Sequence, residues 1–258
     1  MLNRRAIIKA LAALPFVNRL GFAATGVADG PPAFDVGEKL VYTLSWQFIH
    51  AGHSSLEVLP DEEVDGEKVR SFRMTIKSAK VLDAFYKVRG EITSLARHDL
   101  SRSLGYSKIQ REGDLARDIS VDFDWEERVA RYTESIAGDK RVVPVAENTL
   151  DPLSAIYHIR NRKLEVGAEI TGPLTDGLRC STALIQVVAR DWIKVNGKKY
   201  DAFKLVPDLN DVSGVFEKKK NAAAEFWVSA DHRHIPLRFK SKVRIGSVVV
   251  ELKSQKST

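Results

Sequence analysis

The sequence predicts a mainly β protein: an antiparallel, strongly curved sheet, a half-barrel or barrel of about 11–13 strands with one central helix. Three observations lead there. Apolar residues recur at every second position along most of the chain after residue 38. Asp65-Gly66, Asp176-Gly177 and Asn196-Gly197 separate such runs, and these pairs suit the tight hairpin turn because both central residues need positive φ. One segment alone, opening at Asp151-Pro152, switches to helical spacing. Antiparallel hairpins in this number form a sandwich, a barrel or a curved sheet.

Taken in order, Leu40, Tyr42, Leu44, Trp46 and Phe48 alternate with Thr43, Ser45 and Gln47, the pattern of a half-buried strand. Ala51-Gly52 reads as a turn, after which Ser54, Leu56 and Val58 resume the alternation. Phe72, Met74 and Ile76 follow, and similar runs cover 88–94, 104–110, 119–123 and 129–132. A short helix is expected over 79–86. The main helix is expected over 152–163, because Asp is a preferred N-cap and Pro suits the first helical position, with Leu153, Ile156, Tyr157 and Leu164 at helical spacing and Gly167 beyond. Further strands flank Asp176-Gly177 and Asn196-Gly197. The last hairpin sets Ala224, Phe226 and Val228 against Leu237, Phe239, Ser241, Val243 and Ile245, across a turn at Asp231–His234, and 248–252 closes the set. The Glu-Lys-Lys-Lys run at 217–220 reads as a solvated loop.

The first 28 residues read as an export signal that is removed, leaving one domain over 29–258. Arg4 and Arg5 precede an apolar run from Ala6 to Val17, and small residues cluster from Gly21 to Ala28. Asn3-Arg4-Arg5-Ala6-Ile7-Ile8-Lys9 resembles a twin-arginine signal, which implies passage across the membrane in the folded state and a periplasmic address. The apolar run is shorter than the roughly 20 residues a bilayer span needs, so no integral span is expected after removal. The chain carries 40 basic against 34 acidic residues, a net charge of +6. Arg4, Arg5, Lys9 and Arg19 belong to the signal, which holds no acid; without them 36 stand against 34, close to +2. That balance gives no electrostatic case for nucleic acid. Cys180 is the single cysteine, so an internal disulfide is excluded, and its place in an alternating run reads as a small buried residue.

Several short patterns carry a family resemblance. Phe34-x-Val36-Gly37-Glu38-x-Leu40-x-Tyr42, then Trp46 and Ala51-Gly52, then Asp151-x-Leu153-Ser154-Ala155-x-Tyr157-x-x-Arg160, then Trp227-x-Ser229-x-Asp231 with Ile235-Pro236, together resemble the bacterial exported domain-of-unknown-function family 3108. The resemblance covers about residues 34–252 and implies an envelope location and an antiparallel fold, without an agreed activity. The last hairpin is also similar to hairpins of lipoprotein-carrier proteins, which implies an open half-barrel with an apolar cavity and a helix inside. That is an analogy of fold, and fold does not fix function.

Asp151, Ser154, Tyr157 and Arg160 recur every third position and so lie along one slowly rotating helix face. Either this stripe faces a cavity with Arg160 gripping a ligand carboxylate or phosphate, or Asp151 caps, Tyr157 packs and Arg160 pairs with a carboxylate of the sheet. Tyr42, Trp46 and Phe48 share a strand face and Trp227 faces opposite to Phe226 and Val228; either Tyr42, Trp46 and Phe48 are core, or some of these aromatics line a ligand cavity. The candidate ligand-binding residues are thus Trp46, Asp151, Tyr157, Arg160, Trp227 and Asp231. His232 and His234 with Asp231, and His50 with His53, invite a metal reading, but turns collect solvated polar residues, and no metal and no cofactor is expected. No nucleophile elbow, zinc-protease helix, phosphate loop or dinucleotide fingerprint is present. Asp122 and Asp124 share a strand face opposite Val121 and Phe123, which reads as a solvated outer face. The leading expectation is a non-enzymatic envelope protein that binds a lipid or other amphiphile in a β-sheet cavity. The alternatives are an enzyme acting on envelope glycan or peptide, and a structural or assembly partner.

Overall fold

The computed structural model describes residues 31–84, 86–208, 224–242 and 247–256. The export-signal reading, the 217–220 run, and Val243 and Ile245 lie outside these residues. Among them the chain forms β1 (Lys39–Trp46), β2 (Ile49–Val58), β3 (Glu62–Val64), β4 (Glu67–Ser78), α1 (Lys80–Asp83), β5 (Val88–Arg97), β6 (Ser103–Glu112), β7 (Leu115–Asp124), β8 (Val129–Glu134) and β9 (Asp139–Pro144). After α2 (Pro152–Arg160) come β10 (Glu169–Thr175), β11 (Cys180–Val195), β12 (Lys198–Asp208), β13 (Ala224–Ser229), β14 (Pro236–Lys242) and β15 (Ser247–Lys256).

All fifteen strands join one antiparallel sheet in the order β10-β11-β12-β13-β14-β15-β1-β2-β4-β5-β6-β7-β8-β9, with β3 beside β4. The chain is a meander whose first strand pairs with its last, Tyr42 opposite Leu252. Its one interruption falls between β9 and β10, where α2 is inserted, and the sheet does not close there. A single parallel bridge, Leu150 to Leu174, ties the segment before α2 to β10. The expected mainly β, antiparallel, curved architecture with one main helix is therefore present, with more strands than alternation reveals. β3 is exposed throughout and β9 is a short, mostly exposed edge strand, so neither has a buried face to impose period two on the sequence. β11 runs unbroken for 16 residues through an irregularity between Val187 and Ala189 that shifts its alternation.

Two boundaries differ from expectation. α2 stops at Arg160, with Asn161 as its C-cap, and the second helix is a single turn over Lys80–Asp83. The first hairpin turns at Gln47-Phe48, both at positive φ, and Gly52 lies inside β2. A Cβ at Gly52 would run into the Lys77 carbonyl and lie 2.9 Å from the Ser78 Cα, so this glycine serves the close approach of β4 and not a turn.

The face that carries α2 is the inner face. Ser94 points to α2 and bonds both Asp151 and Ser154, so residues in register with Ser94 or two positions away share that side. The core there joins Leu153 and Tyr157 of α2 to Phe34, Leu40, Tyr42, Leu56, Phe72, Ala96 and Leu237. Tyr157 stacks on Phe72 at 3.8 Å and meets Phe34 edge-on at 5.0 Å. α2 thus fills one end of the inner face, the end bearing the turns at 97–103 and 230–235. No helix among the described residues is long and apolar enough to cross a membrane.

Candidate functional site

α2 is held at both ends by buried polar groups. At its start Asp151, fully buried, accepts from the backbone N–H of Leu153 and Ser154 at 2.8 and 3.0 Å, the expected N-cap. Its other oxygen accepts from Ser94 and Ser103 at 2.6 and 2.5 Å, and Ser103 Oγ in turn accepts from the Asp151 N–H. The cap therefore clamps the helix to β5 and β6 as well as closing it.

At its end Arg160, 1% exposed, donates from Nη1 and Nη2 to the two carboxylate oxygens of Glu38, also 1% exposed, at 2.6 and 3.0 Å. Nη2 also donates to the Ala33 carbonyl and Nε to the Arg233 carbonyl. The guanidinium lies 5.1 Å from the Phe34 ring centre and 5.5 Å from that of Tyr157. Arg233 is a second cation on Glu38, donating from Nη2 to its Oε2 at 2.6 Å, and His234 Nδ1 donates to the Arg160 carbonyl at 2.9 Å. The carboxylate that Arg160 grips thus belongs to Glu38, just ahead of β1. Burial lowers the affinity of His234 for a proton, partly offset by its hydrogen bond to the Arg160 carbonyl.

Between these ends His158 is nearly buried. Its Nδ1 donates to the Leu100 carbonyl, and Nε2 accepts from Arg162. Burial first, and the Arg162 charge second, push its pKa down to about 4. Tyr157 is sealed, its hydroxyl finds no partner, and burial raises its pKa, partly offset by Arg160. Asp151, Tyr157 and Arg160 are thus brought together on α2. The other candidates lie elsewhere. Trp227 is partly buried between Lys204 and Arg238, 5.4 and 5.6 Å from its ring centre. Asp231 is exposed in the β13–β14 turn, accepting from Ser229 Oγ and the Arg233 N–H. Trp46 sits at the far end of β1. Nothing in the sequence pattern marks Ser94, Ser103 or His158 as site residues, and Glu38 is marked only by falling within a motif of the family resemblance.

Beyond α2 the inner face is differently furnished. Val187, Leu205, Phe226, Phe239, Val250 and Leu44 form one row across β11–β15 and β1. Phe226, Phe239 and Val250 in it are only partly buried, the two rings 4.7 Å apart. A second row runs from Leu40 through Leu56, Met74 and Ile92 to Lys108 and Ile119. Lys108 has its pKa lowered by burial, opposed by Glu112 and Asp176, and Asp176 on the β10–β11 turn has its own raised by burial. The inner face therefore passes from apolar to charged along one row. A small apolar cavity of about 30 Å³ lies between α2 and β10–β11. On the opposite, outer face a groove of about 370 Å³ is lined by hydroxyls of Ser71, Thr93, Ser107 and Ser120 with Glu62 and Asp122.

Comparison with known proteins agrees with this fold. The sequence profile described as "Protein of unknown function (DUF3108)" matches residues 41–253. No curated protein matches the chain. A β-barrel-like protein of the domain-of-unknown-function family DUF1849 from Brucella abortus superimposes with a TM-score of 0.54 at 11% identity, over 86% of this chain and 97% of that one. At that identity the likeness is one of fold. A Bacteroides fragilis protein with a YmcC-like fold gives 0.37 at 9% identity, over 86% and 97% of the two chains. A candidate lipoprotein from Parabacteroides distasonis gives 0.32 at 9%, over 87% and 97%.

Proposed function

The chain belongs to the DUF3108 family, and from its sheet we propose that it is an exported, periplasmic, non-enzymatic protein that holds a lipid or similar amphiphile against the inner face. The observation that carries this reading is the row of apolar side chains continuous over six strands, in which Phe226, Phe239 and Val250 stay only partly buried. Ligand sites are largely apolar with a few placed polar groups. Here the apolar part is Leu44, Phe226, Phe239 and Val250 with Met74 and Ile92, and the polar part is Lys108 with Asp176. In this reading α2 is the plug that defines the inner end of the site, and Asp151, Tyr157 and Arg160 act by fixing that plug.

An enzyme acting on envelope glycan or peptide requires polar residues from distant segments to converge, and a pocket joining Asp151, Arg160 and Asp231 would favour it. Asp151 and Arg160 are sealed at opposite ends of α2 and saturated by neighbours, whereas Asp231 is exposed in a turn. Native mass spectrometry of the protein purified from its own host, followed by solvent extraction, tests the proposal. A reproducible added mass released as a lipid-like species is the expected result. An apo mass that stays apo after incubation with host lipid extract would overturn it.

A further inference from the structure

The end of the sheet opposite α2 carries the turns at 47–48 and 113–114, α1, and the ends of β14 and β15. Its apolar side chains are unusually exposed. Phe48 is 105% and Val81 78% exposed, and Trp46, Ile49 and Tyr86 are exposed beside them. They lie along one rim. Gln47 N–H bonds the Ser247 carbonyl, Ala79 N–H bonds the Ala51 carbonyl, and Gly113 N–H bonds the Lys87 carbonyl next to Tyr86. Local stability does not require this arrangement. Gln47 and Phe48 stand at φ 46° and 70°, a turn that favours Asn-Gly or Asp-Gly and penalises a bulky residue. The same chain uses Asp65-Gly66 and Asn196-Gly197 where positive φ is needed at both positions. An aromatic held out in that strained position points to a role outside the fold.

Charge identifies the partner. Lys77, Lys80, Lys87 and Lys242 are exposed around the tip: Lys77 pairs with His53 in the sheet register, and Lys242 with Ser247. The one acid on α1, Asp83, is engaged by Arg89 at 2.5 Å. Glu112 and Asp114 lie at the 113–114 turn on the same rim, where the four lysines outnumber these two acids. Exposed aromatics ringed by lysines fit the headgroup region of an anionic bilayer, where aromatic side chains settle and basic ones meet phosphate.

We propose that this rim docks on an anionic phospholipid surface, with Phe48 and Ile49 entering the interface, Trp46 at headgroup level, and Lys77, Lys80 and Lys242 on lipid phosphates. The inference does not depend on the inner face holding a ligand. It does set the end of that face where Trp46 pairs with Val248 toward the membrane.

The test is co-sedimentation of the protein with vesicles of phosphatidylethanolamine and phosphatidylglycerol, against phosphatidylcholine vesicles, at low and high salt. Binding is expected only to the anionic vesicles and is expected to weaken with salt. Phe48→Ser should lower the partition constant roughly tenfold, the scale set by withdrawing one large apolar side chain from water. Lys80→Glu should lower it about fivefold or more, and because Lys80 is exposed it serves should Phe48→Ser disturb the hairpin. Both variants should keep any added mass seen in the native spectrum, so loss of docking and loss of ligand are read separately. Failure of the unaltered protein to bind anionic vesicles, or unchanged binding by both variants, would overturn the proposal. So would a dimer that Phe48→Ser converts to monomer while vesicle binding is absent.

Discussion

Removing Glu38 should unfold the protein more readily than any surface change, and the structure fixes the scale. Glu38→Ala leaves the Arg160 guanidinium buried at 1% exposure with only the Ala33 and Arg233 carbonyls as acceptors. It also removes the anion between Arg160 and Arg233. Deleting one partner of a buried pair costs about 3–5 kcal/mol, because the other charge stays desolvated. For a chain of this size each kcal/mol moves Tm by roughly 2–4 °C, so a fall of about 10 °C is expected. Replacing both partners, Glu38→Met with Arg160→Met, removes the uncompensated charge and should cost less than Glu38→Ala alone. Urea denaturation followed by tryptophan fluorescence measures Glu38→Ala, the single variants Glu38→Met and Arg160→Met, and the double variant. A Glu38→Ala cost below about 1 kcal/mol, or strict additivity in the double variant, would refute the assignment of Arg160 and Glu38 as the lock on α2.

Other outcomes follow from neighbouring contacts. Asp151→Ala should cost about 2 kcal/mol or more in the same assay, since it removes an N-cap and strands the Ser94 and Ser103 hydroxyls; a cost equal to that of an exposed cap would contradict the clamp. Tyr157→Phe deletes a buried hydroxyl without a partner and should be neutral or stabilise by about 1 kcal/mol. His158 has a native pKa near 4 against an ordinary value of 6.5, so the unfolded chain binds its proton first. Its contribution is intact above about pH 6.5 and lost as pH falls toward 4, on the order of 3 kcal/mol. His158→Gln should flatten stability between those pH values, and an unchanged slope would deny the group that role. Gly52→Ala should destabilise by about 3 kcal/mol, whereas a turn glycine facing solvent would tolerate the change far better.

The sequence made the sheet legible wherever one face packs on α2. Leu40, Tyr42 and Leu44 alternate because their neighbours face out, and that contrast survives in the chain. β3 and β9 have no such contrast and were invisible. Asp151 was readable as a cap because the N–H donors its carboxylate accepts from lie two and three residues away. The partner of Arg160 was not, because Glu38 is 122 positions distant and only the fold brings them together. Gly52 misled for a physical reason: a glycine demanded by another strand's carbonyl looks the same in sequence as one demanded by a turn. Phe48 misled in the opposite sense, since an aromatic in an alternating run is the last residue expected at positive φ. The exposed rim was hidden by that same run, in which Trp46 and Phe48 looked like a continuation of the core face.

The pairing of β1 with β15 has a consequence for how the molecule is made. Tyr42 and Leu252 meet across 210 residues, so this ladder cannot form until the chain has been made through β15. Until then β1 offers an unpaired row of backbone groups beside the apolar residues Leu40, Tyr42 and Leu44, which is a template for pairing with other chains. Contacts so distant along the chain also make for slow folding. A chain stopped short of residue 247 would therefore keep two bare strand edges, one on β1 and one on β14, and its fate in the cell would be governed by chaperones and proteases and not by the stability of what had already folded.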